Sequence, residues 1–232
     1  MSDKLTIIIP VINEAEYIGK LLAYLITNSS KENIAEIIIV DGGSTDESLK
    51  IVATFENVVL LNSPKGRAKQ LNIGGHAAKG DILYFLHADT FPPKGFDKKI
   101  IDEIKNNNTG SFRLKFEHPD HFLLKIAPWF TQFNAQIFRG GDQSLFISKQ
   151  QFEDLKGFDE RYIIFEDIEF IQRICKQFRF KVIDDYVTTS ERKFKQFGTW
   201  NLYYHFFMIH AKSWLGASPE SLFKYYAKHL QD

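Results

Sequence analysis

Between residues 5 and 86 the chain carries four short apolar runs, LTIIIP, EIIIVD, NVVLLN and DILYFL. Each is rich in β-branched side chains and none alternates apolar with polar. Each therefore reads as a strand buried on both faces, the condition of parallel strands covered by helices. The stretches between them have helical spacing. Tyr17, Ile18, Leu21, Leu22 and Leu25 form one apolar stripe, and Leu49, Ile51, Val52 and Phe55 form another, preceded by the capping chemistry of Ser44-Thr45-Asp46. The resulting β-α-β-α-β-α-β order predicts an α/β fold built on a doubly wound sheet.

The second half reads differently. SFRLKFE, residues 111 to 117, alternates Phe112, Leu114 and Phe116 with Arg113, Lys115 and Glu117. That pattern predicts a half-exposed antiparallel strand, and hence a mixed sheet. A helix is expected over roughly 121–138, then the loop Arg139-Gly140-Gly141-Asp142 and a strand at SLFI. Further helices are expected at about 150–155, 167–178, 197–213 and 219–230, the last opened by Ser218-Pro219.

A chain of 232 residues, 44% hydrophobic, buries a sizeable core as a single domain. Lys plus Arg and Asp plus Glu are both 29, and no five like charges run together, so nothing advertises a nucleic-acid partner. The single cysteine, Cys175, makes no internal disulfide and reads as a small buried hydrophobe. MSDK leads directly into LTIIIP without the apolar segment of a signal peptide, so a cytoplasmic location is expected. WNLYYHFFMI is followed by His210 and Lys212 and falls short of the roughly 20 residues that span a bilayer. Trp200, Tyr203, Tyr204, Phe206, Phe207 and Trp214 crowd this segment. It is read as core, as a homodimer contact, or as a helix lying peripherally on the inner face of a membrane.

In an open α/β sheet the ligand crevice lies outside the carboxyl ends of the strands. The first strand delivers Asn13 and Glu14 there, the second Asp41 and then Asp46, and the fourth Asp89. Asp41 suits hydrogen bonding to a nucleobase N–H or to ribose hydroxyls. Asp89, between Ala88 and Thr90, suits Mg²⁺ or Mn²⁺ bridging a diphosphate. Taken singly each acid is as readily a loop residue or a helix cap, Asp46 above all; their joint placement is the signal. PVINEAEY after the first strand lacks the G-x-G-x-x-G of dinucleotide binders, and GxxxxGK[ST] occurs nowhere. Lys65-Gly66-Arg67 follows the third strand, where a basic turn approaches a phosphate or lies in solvent.

In order and spacing, IPVINEAEYI, VDGGSTDES, KGRAKQLNIGGHAAKGDILYFLHADT and GFDE followed by FEDIEF resemble family 2 of the inverting glycosyltransferases with the GT-A fold, over roughly residues 5–180. The resemblance implies a Rossmann-like mixed sheet flanked by helices with a helical C-terminal segment. It divides the domain into a nucleotide-sugar half (1–90), an acceptor and catalytic half (91–195) and C-terminal helices (196–232). It implies transfer of a sugar, with inversion and with Mg²⁺ or Mn²⁺, from a nucleotide-diphosphate donor to an unknown acceptor hydroxyl. A UDP-sugar is expected first and a GDP-sugar second. By the same resemblance Pro10, Glu14 and Asp41 frame the base and ribose, and Arg67 lies near the donor. Asp89 matches the last acid of the family's Asp-x-Asp motif, whose first acid is here His87; an imidazole adds no negative charge. Asp167 maps to the general base, with Glu166 beside it, although two acids opening a helix also suit its macrodipole. Arg192 or Lys193 in TSERKFKQFG, read as a loop, assists the leaving diphosphate. His205 and His210 are read as packed or exposed rather than as metal ligands. The Gln-x-x-Arg-Trp motif of the processive members is missing, which suits a single-transfer enzyme. The tail resembles short bacterial members linked to arsenosugar biosynthesis. Two rivals stay open, a sugar nucleotidyltransferase and a non-catalytic nucleotide-sugar-binding protein.

Overall fold

The computed structural model describes residues 3–117, 119, 121–125 and 144–230. The four apolar runs form β1 (Leu5–Val11), β2 (Ile34–Asp41), β3 (Val58–Asn62) and β4 (Ile82–Phe85). They pair in parallel in the order β3-β2-β1-β4. The sheet continues through β7 (Leu145–Ser148), β6 (Asn108–Phe116), β8 (Arg179–Thr189) and β5 (Thr90–Phe91). β7 runs antiparallel to β4 and to β6, and β5 antiparallel to β8, so the sheet is mixed.

One face packs under α1 (Ile18–Asn28) and α4 (Phe96–Lys105), with Leu21, Leu22, Leu25, Phe96 and Ile100 fully buried against Ile7, Ile9 and Tyr84. α2 (Ser48–Val52) adds Val52 to the same cluster. The other face packs under α3 (Arg67–Ala77), α5 (Lys149–Asp154) and α6 (Glu166–Gln177), through Leu71, Phe152, Phe170 and Ile174. Cys175 is a partly buried member of this second cluster. α3 lies so close to the sheet that a Cβ on Gly74 would stand 2.4 Å from Ile8 Cγ2. This approach puts Arg67, at the start of α3, over the strand ends. The chain closes with α7 (Arg192–Phe197), α8 (Thr199–Trp214) and α9 (Pro219–Leu230), which form a cluster of their own around Leu202, Ile209, Leu222 and Leu230.

Three expectations need correction. The 111–117 strand is antiparallel to β7, but on its other side it pairs in parallel with β8, an unanticipated strand, so β6 is interior to the sheet; its faces keep the expected alternation, with Phe112 and Phe116 buried and Lys115 and Glu117 exposed. Arg113, outward by the alternation, is only partly exposed and pairs with Asp184 at 2.6 Å. TSERKFKQFG is not simply a loop, because Arg192–Phe197 is helical. α4 and the short β5 were likewise not anticipated. Of the helix expected over 121–138, only residues 121–125 are described, and 122–125 are helical. The Arg139–Asp142 loop lies outside the described residues.

Candidate functional site

The carboxyl ends of β1 and β2 are tied together by short polar bonds. Asp41, buried at the tip of β2, accepts the N–H groups of Gly43 (2.9 Å) and Ser44 (3.0 Å). Asn13, at φ 54°, accepts the N–H of Thr45 at 2.8 Å, and Ser44 Oγ accepts the N–H of Asn13 at 3.0 Å. Asp46 accepts from Ser48 N–H (2.9 Å) and Ala15 N–H (3.0 Å). Its bonds from Ser48 hold its carboxyl below the usual carboxylate range. Asp46 thus serves the start of α2 and the β1–α1 connection. Gln70 of α3 donates to the carbonyls of Val11 and Val40, closing the gap between the two strand ends.

Beside this frame opens a cleft of about 1760 Å³. Its polar end is lined by Glu14, Arg67, His87, Asp89, Asp167 and Arg192, and its other end by aromatic side chains of α7, α8 and α9. Pro10 and Glu166 also line it, whereas Asp41 sits behind the wall. The sheet explains how Asp89 meets the tail. β5 pairs with β8 so that Thr90 stands opposite Thr189, their hydroxyls 3.0 Å apart. That register sets Asp89 beside Ser190, whose hydroxyl donates to Asp89 Oδ2 at 2.7 Å. Two residues on, Arg192 reaches the same oxygen at 3.2 Å and both oxygens of Glu14 at 3.0 Å, with its guanidinium over the Tyr17 ring at 4.8 Å. Burial pushes the Glu14 carboxyl up, and Arg192 opposes the shift.

The start of α6 supplies the other acids. Gly157 to Glu160 are pinned by Asn72 of α3, which bonds the backbone N–H and carbonyl of Phe158 (2.8 and 2.9 Å) and the Glu160 carboxylate (3.0 Å). Phe165, at φ 70°, turns the chain into α6. Glu166 is buried, 3.3 Å from Arg67 Nη1, a contact ion pair whose Oε1 lacks hydrogen-bond geometry. Burial drives its pKa up to about 7, with Arg67 opposing and Asp167 assisting. Asp167 is half-buried on the cleft wall and accepts the N–H of Ile168 at 2.7 Å. His210 of α8 lies within its electrostatic reach; burial lowers the imidazole's pKa and the Asp167 charge opposes this.

The Glu166 environment yields a pH prediction. A carboxyl raised in the folded state favours folding below its ordinary value of 4.5, and that contribution is lost as pH rises through about 7. Glu166→Gln removes the ionisation. The variant should gain on wild type by on the order of 2 kcal/mol between pH 5 and pH 8. Melting curves at both pH values check this; parallel curves would mean that Glu166 ionises freely.

Sequence reasoning missed Ser190, Tyr17 and the Glu14–Arg192 pair, because their partners stand far away along the chain. His205, read as packed or exposed, is buried against Tyr225 Oη at 2.8 Å and stacked on His229.

With this geometry in hand, comparison with known proteins is informative. The model of the family described as "Glycosyl transferase family 2" matches residues 6–187. The chain belongs to that family. An undecaprenyl-phosphate 4-deoxy-4-formamido-L-arabinose transferase of Sodalis glossinidius is 31% identical over 205 residues, covering 83% of the chain and 61% of that protein. A dolichyl N-acetyl-alpha-D-glucosaminyl phosphate 3-beta-D-2,3-diacetamido-2,3-dideoxy-beta-D-glucuronosyltransferase of Methanococcus voltae is 31% identical over 122 residues, covering 50% of the chain and 36% of that protein. The chain thus spans less than two thirds of the length of either. Among solved structures, S. aureus TarS 1-349 in complex with UDP-GlcNAc superposes with TM-score 0.65 at 23% identity, covering 82% of the chain and 59% of that 1-349 chain. The Pyrobaculum calidifontis mannosyltransferase PcManGT, in complex with GDP-Man and Mn²⁺, superposes with TM-score 0.66 at 19% identity, covering 100% of the chain and 65% of PcManGT. These likenesses establish the GT-A fold of the family 2 chain.

Proposed function

We propose that the protein transfers a sugar, with inversion, from a nucleotide-diphosphate donor bound at the polar end of the cleft to an acceptor hydroxyl that enters along its aromatic end. The observation that carries this reading is the Arg192 guanidinium held between Glu14 and Asp89, a cation poised where the two strand ends face the cleft. A diphosphate offers it oxygens in the same geometry as those carboxylates. Pro10 and Glu14 border the donor pocket, and Asp41 supports the base-binding side from behind the wall by holding the turn from Gly42 to Ser44. Arg67 keeps the start of α6 in place through Glu166.

The reaction follows from these positions. The Asp167 carboxylate takes the acceptor's hydroxyl proton as the acceptor oxygen forms its bond to the anomeric carbon. The bond from that carbon to the diphosphate oxygen breaks on the opposite face, and its electron pair leaves with the diphosphate. Arg192 and Lys193 stabilise that developing charge. Asp167 is favoured over Glu166 because its carboxylate is more open to the cleft, whereas Glu166 is buried against Arg67.

A divalent cation fits this end of the cleft in one form only. Among the described residues no three His, Cys, Asp or Glu side chains gather into a closed cage. Mg²⁺ or Mn²⁺ needs only one or two carboxylates when substrate oxygens complete its shell, and Asp89 with His87 on the same wall meets that requirement. Bound there, the ion would neutralise the diphosphate. PcManGT, with GDP-Man and Mn²⁺, and TarS, with UDP-GlcNAc, support a nucleotide-sugar donor, and UDP is favoured. The two relatives named above are a dolichyl-phosphate and an undecaprenyl-phosphate sugar transferase by name, which agrees with the aromatic lining of the acceptor end. No described helix is long and apolar enough to cross a membrane. The placement we favour is the cytoplasmic side of a membrane. The likeness of the tail to arsenosugar-linked members suggests a pathway, which transfer to a soluble acceptor would support.

A thermal-shift panel of UDP-, GDP- and dTDP-sugars with and without Mn²⁺ tests the donor. At a hundredfold excess over Kd the true donor should raise Tm by about 5–10 °C. No shift with any nucleotide sugar would overturn the proposal, and release of pyrophosphate would point to nucleotidyl transfer.

A further inference from the structure

Helix α8 presents three faces, and the core and the cleft account for two of them. Leu202, His205 and Ile209 are buried against α9. Tyr203, Phe206 and His210 line the cleft. The remaining face carries Trp200, Tyr204, Phe207 and Trp214, continued by Leu215. At 3.6 residues per turn these fall within about 100° of arc, with only Ala211 between them. All five are between 55 and 88% exposed, whereas a soluble surface scatters its large apolar side chains singly. Phe122, also exposed, follows His121, whose ring packs edge-on against Trp200. Phe207 belongs to both the stripe and the cleft lining, so the apolar surface runs without a break into the acceptor end.

Charge identifies what covers this face. The whole chain is neutral, but residues 191–230 hold six lysines and arginines against two acids, Glu191 and Glu220. With Arg192 paired to Glu14 and Asp89 and Lys195 to Glu191, Lys193, Lys212, Lys224 and Lys228 remain against Glu220. Of these, Lys193, Lys224 and Lys228 are exposed. Tryptophan and tyrosine with an apolar body and a polar tip, on a C-terminal segment with an excess of lysine, match the headgroup boundary of an anionic bilayer. A second copy of this chain would bring the same basic segment against itself.

We propose that the exposed face of α8 docks on an anionic lipid surface and holds the acceptor end of the cleft at the bilayer boundary. This deepens the proposed function by naming where the acceptor is met, and it rests on that reading for the acceptor alone, not for the docking.

The test is co-sedimentation with vesicles of phosphatidylcholine alone or with a third phosphatidylglycerol, using wild type and Trp200→Ala/Tyr204→Ala/Trp214→Ala. None of the three substituted side chains lines the cleft. Wild type should partition onto the anionic vesicles at least about tenfold more than onto neutral ones, with a blue shift of tryptophan fluorescence. High salt should weaken this binding, and the triple variant should lose it while keeping the wild-type thermal shift with the donor nucleotide. Equal partition of the two proteins, or no partition of wild type, overturns the proposal. So does a wild-type dimer that the triple substitution converts to monomer. Vesicle binding without any nucleotide response would overturn the transferase reading and leave the docking surface standing.

Discussion

Asp167→Asn should reduce single-turnover sugar transfer by about 10²- to 10⁴-fold while leaving donor binding near wild type. Asparagine keeps the size of the side chain, and its carbonyl oxygen still accepts the Ile168 N–H that Asp167 accepts at 2.7 Å. It cannot take a proton from the acceptor. A residue that merely opened a helix would, on the same change, alter stability by about 1 kcal/mol or less and leave transfer untouched. Single-turnover rates and melting curves, measured together, separate the two roles. Glu166→Gln is the internal control. Glu166 is buried against Arg67, so its amide should transfer at a rate far closer to wild type. Wild-type transfer by Asp167→Asn, or a dead Glu166→Gln beside it, would move the base away from Asp167.

Asp89→Ala should abolish the metal-dependent part of nucleoside-diphosphate binding. Asp89 is the carboxylate at the β4 tip, and its Oδ2 already collects the Ser190 hydroxyl and the Arg192 guanidinium. His87, two residues earlier, brings no charge to replace it. In wild type, Mn²⁺ should strengthen UDP binding by about tenfold or more, because the cation neutralises two phosphates that otherwise face carboxylates. In the variant, affinity should be the same with and without Mn²⁺. Arg192 keeps its hydrogen bond and its ion-pair contact to Glu14 in that variant, so metal-free binding should change little. Calorimetry of UDP with both proteins, with and without Mn²⁺, reads all four values. A wild type indifferent to Mn²⁺ would remove the metal and leave Arg192 as the cation that receives the diphosphate.

The two halves of the site differ in how they are encoded. β1 to β4 are written as runs apolar on both faces, and such runs can be satisfied only inside a covered parallel sheet, so their order and their carboxyl ends follow directly. Glu14, Asp41 and Asp89 were legible for that reason. The acids of FEDIEF were legible through their motif spacing, although only the structure buries Glu166 and leaves Asp167 on the cleft wall.

What the sequence determined alone is therefore the local share: the strongly patterned strands and helices, which of their faces are apolar, and which acids stand at strand tips. Tertiary structure decided the partners. RFKVIDDYVTT carries too many charges to announce a strand, and it becomes one because β6 and β5 supply its hydrogen bonds. That pairing turned the alternating 111–117 segment into an interior strand. The Thr90–Thr189 register brought Ser190 to Asp89 across 101 residues and Arg192 to Glu14 across 178. Likewise the aromatic tail showed a stripe but not its distribution among core, cleft and solvent. Periodicity records whether a face is buried, since burial acts on each residue through its own hydration. Which distant group lies on that face depends on chain crossings and register, quantities that no local window of sequence contains.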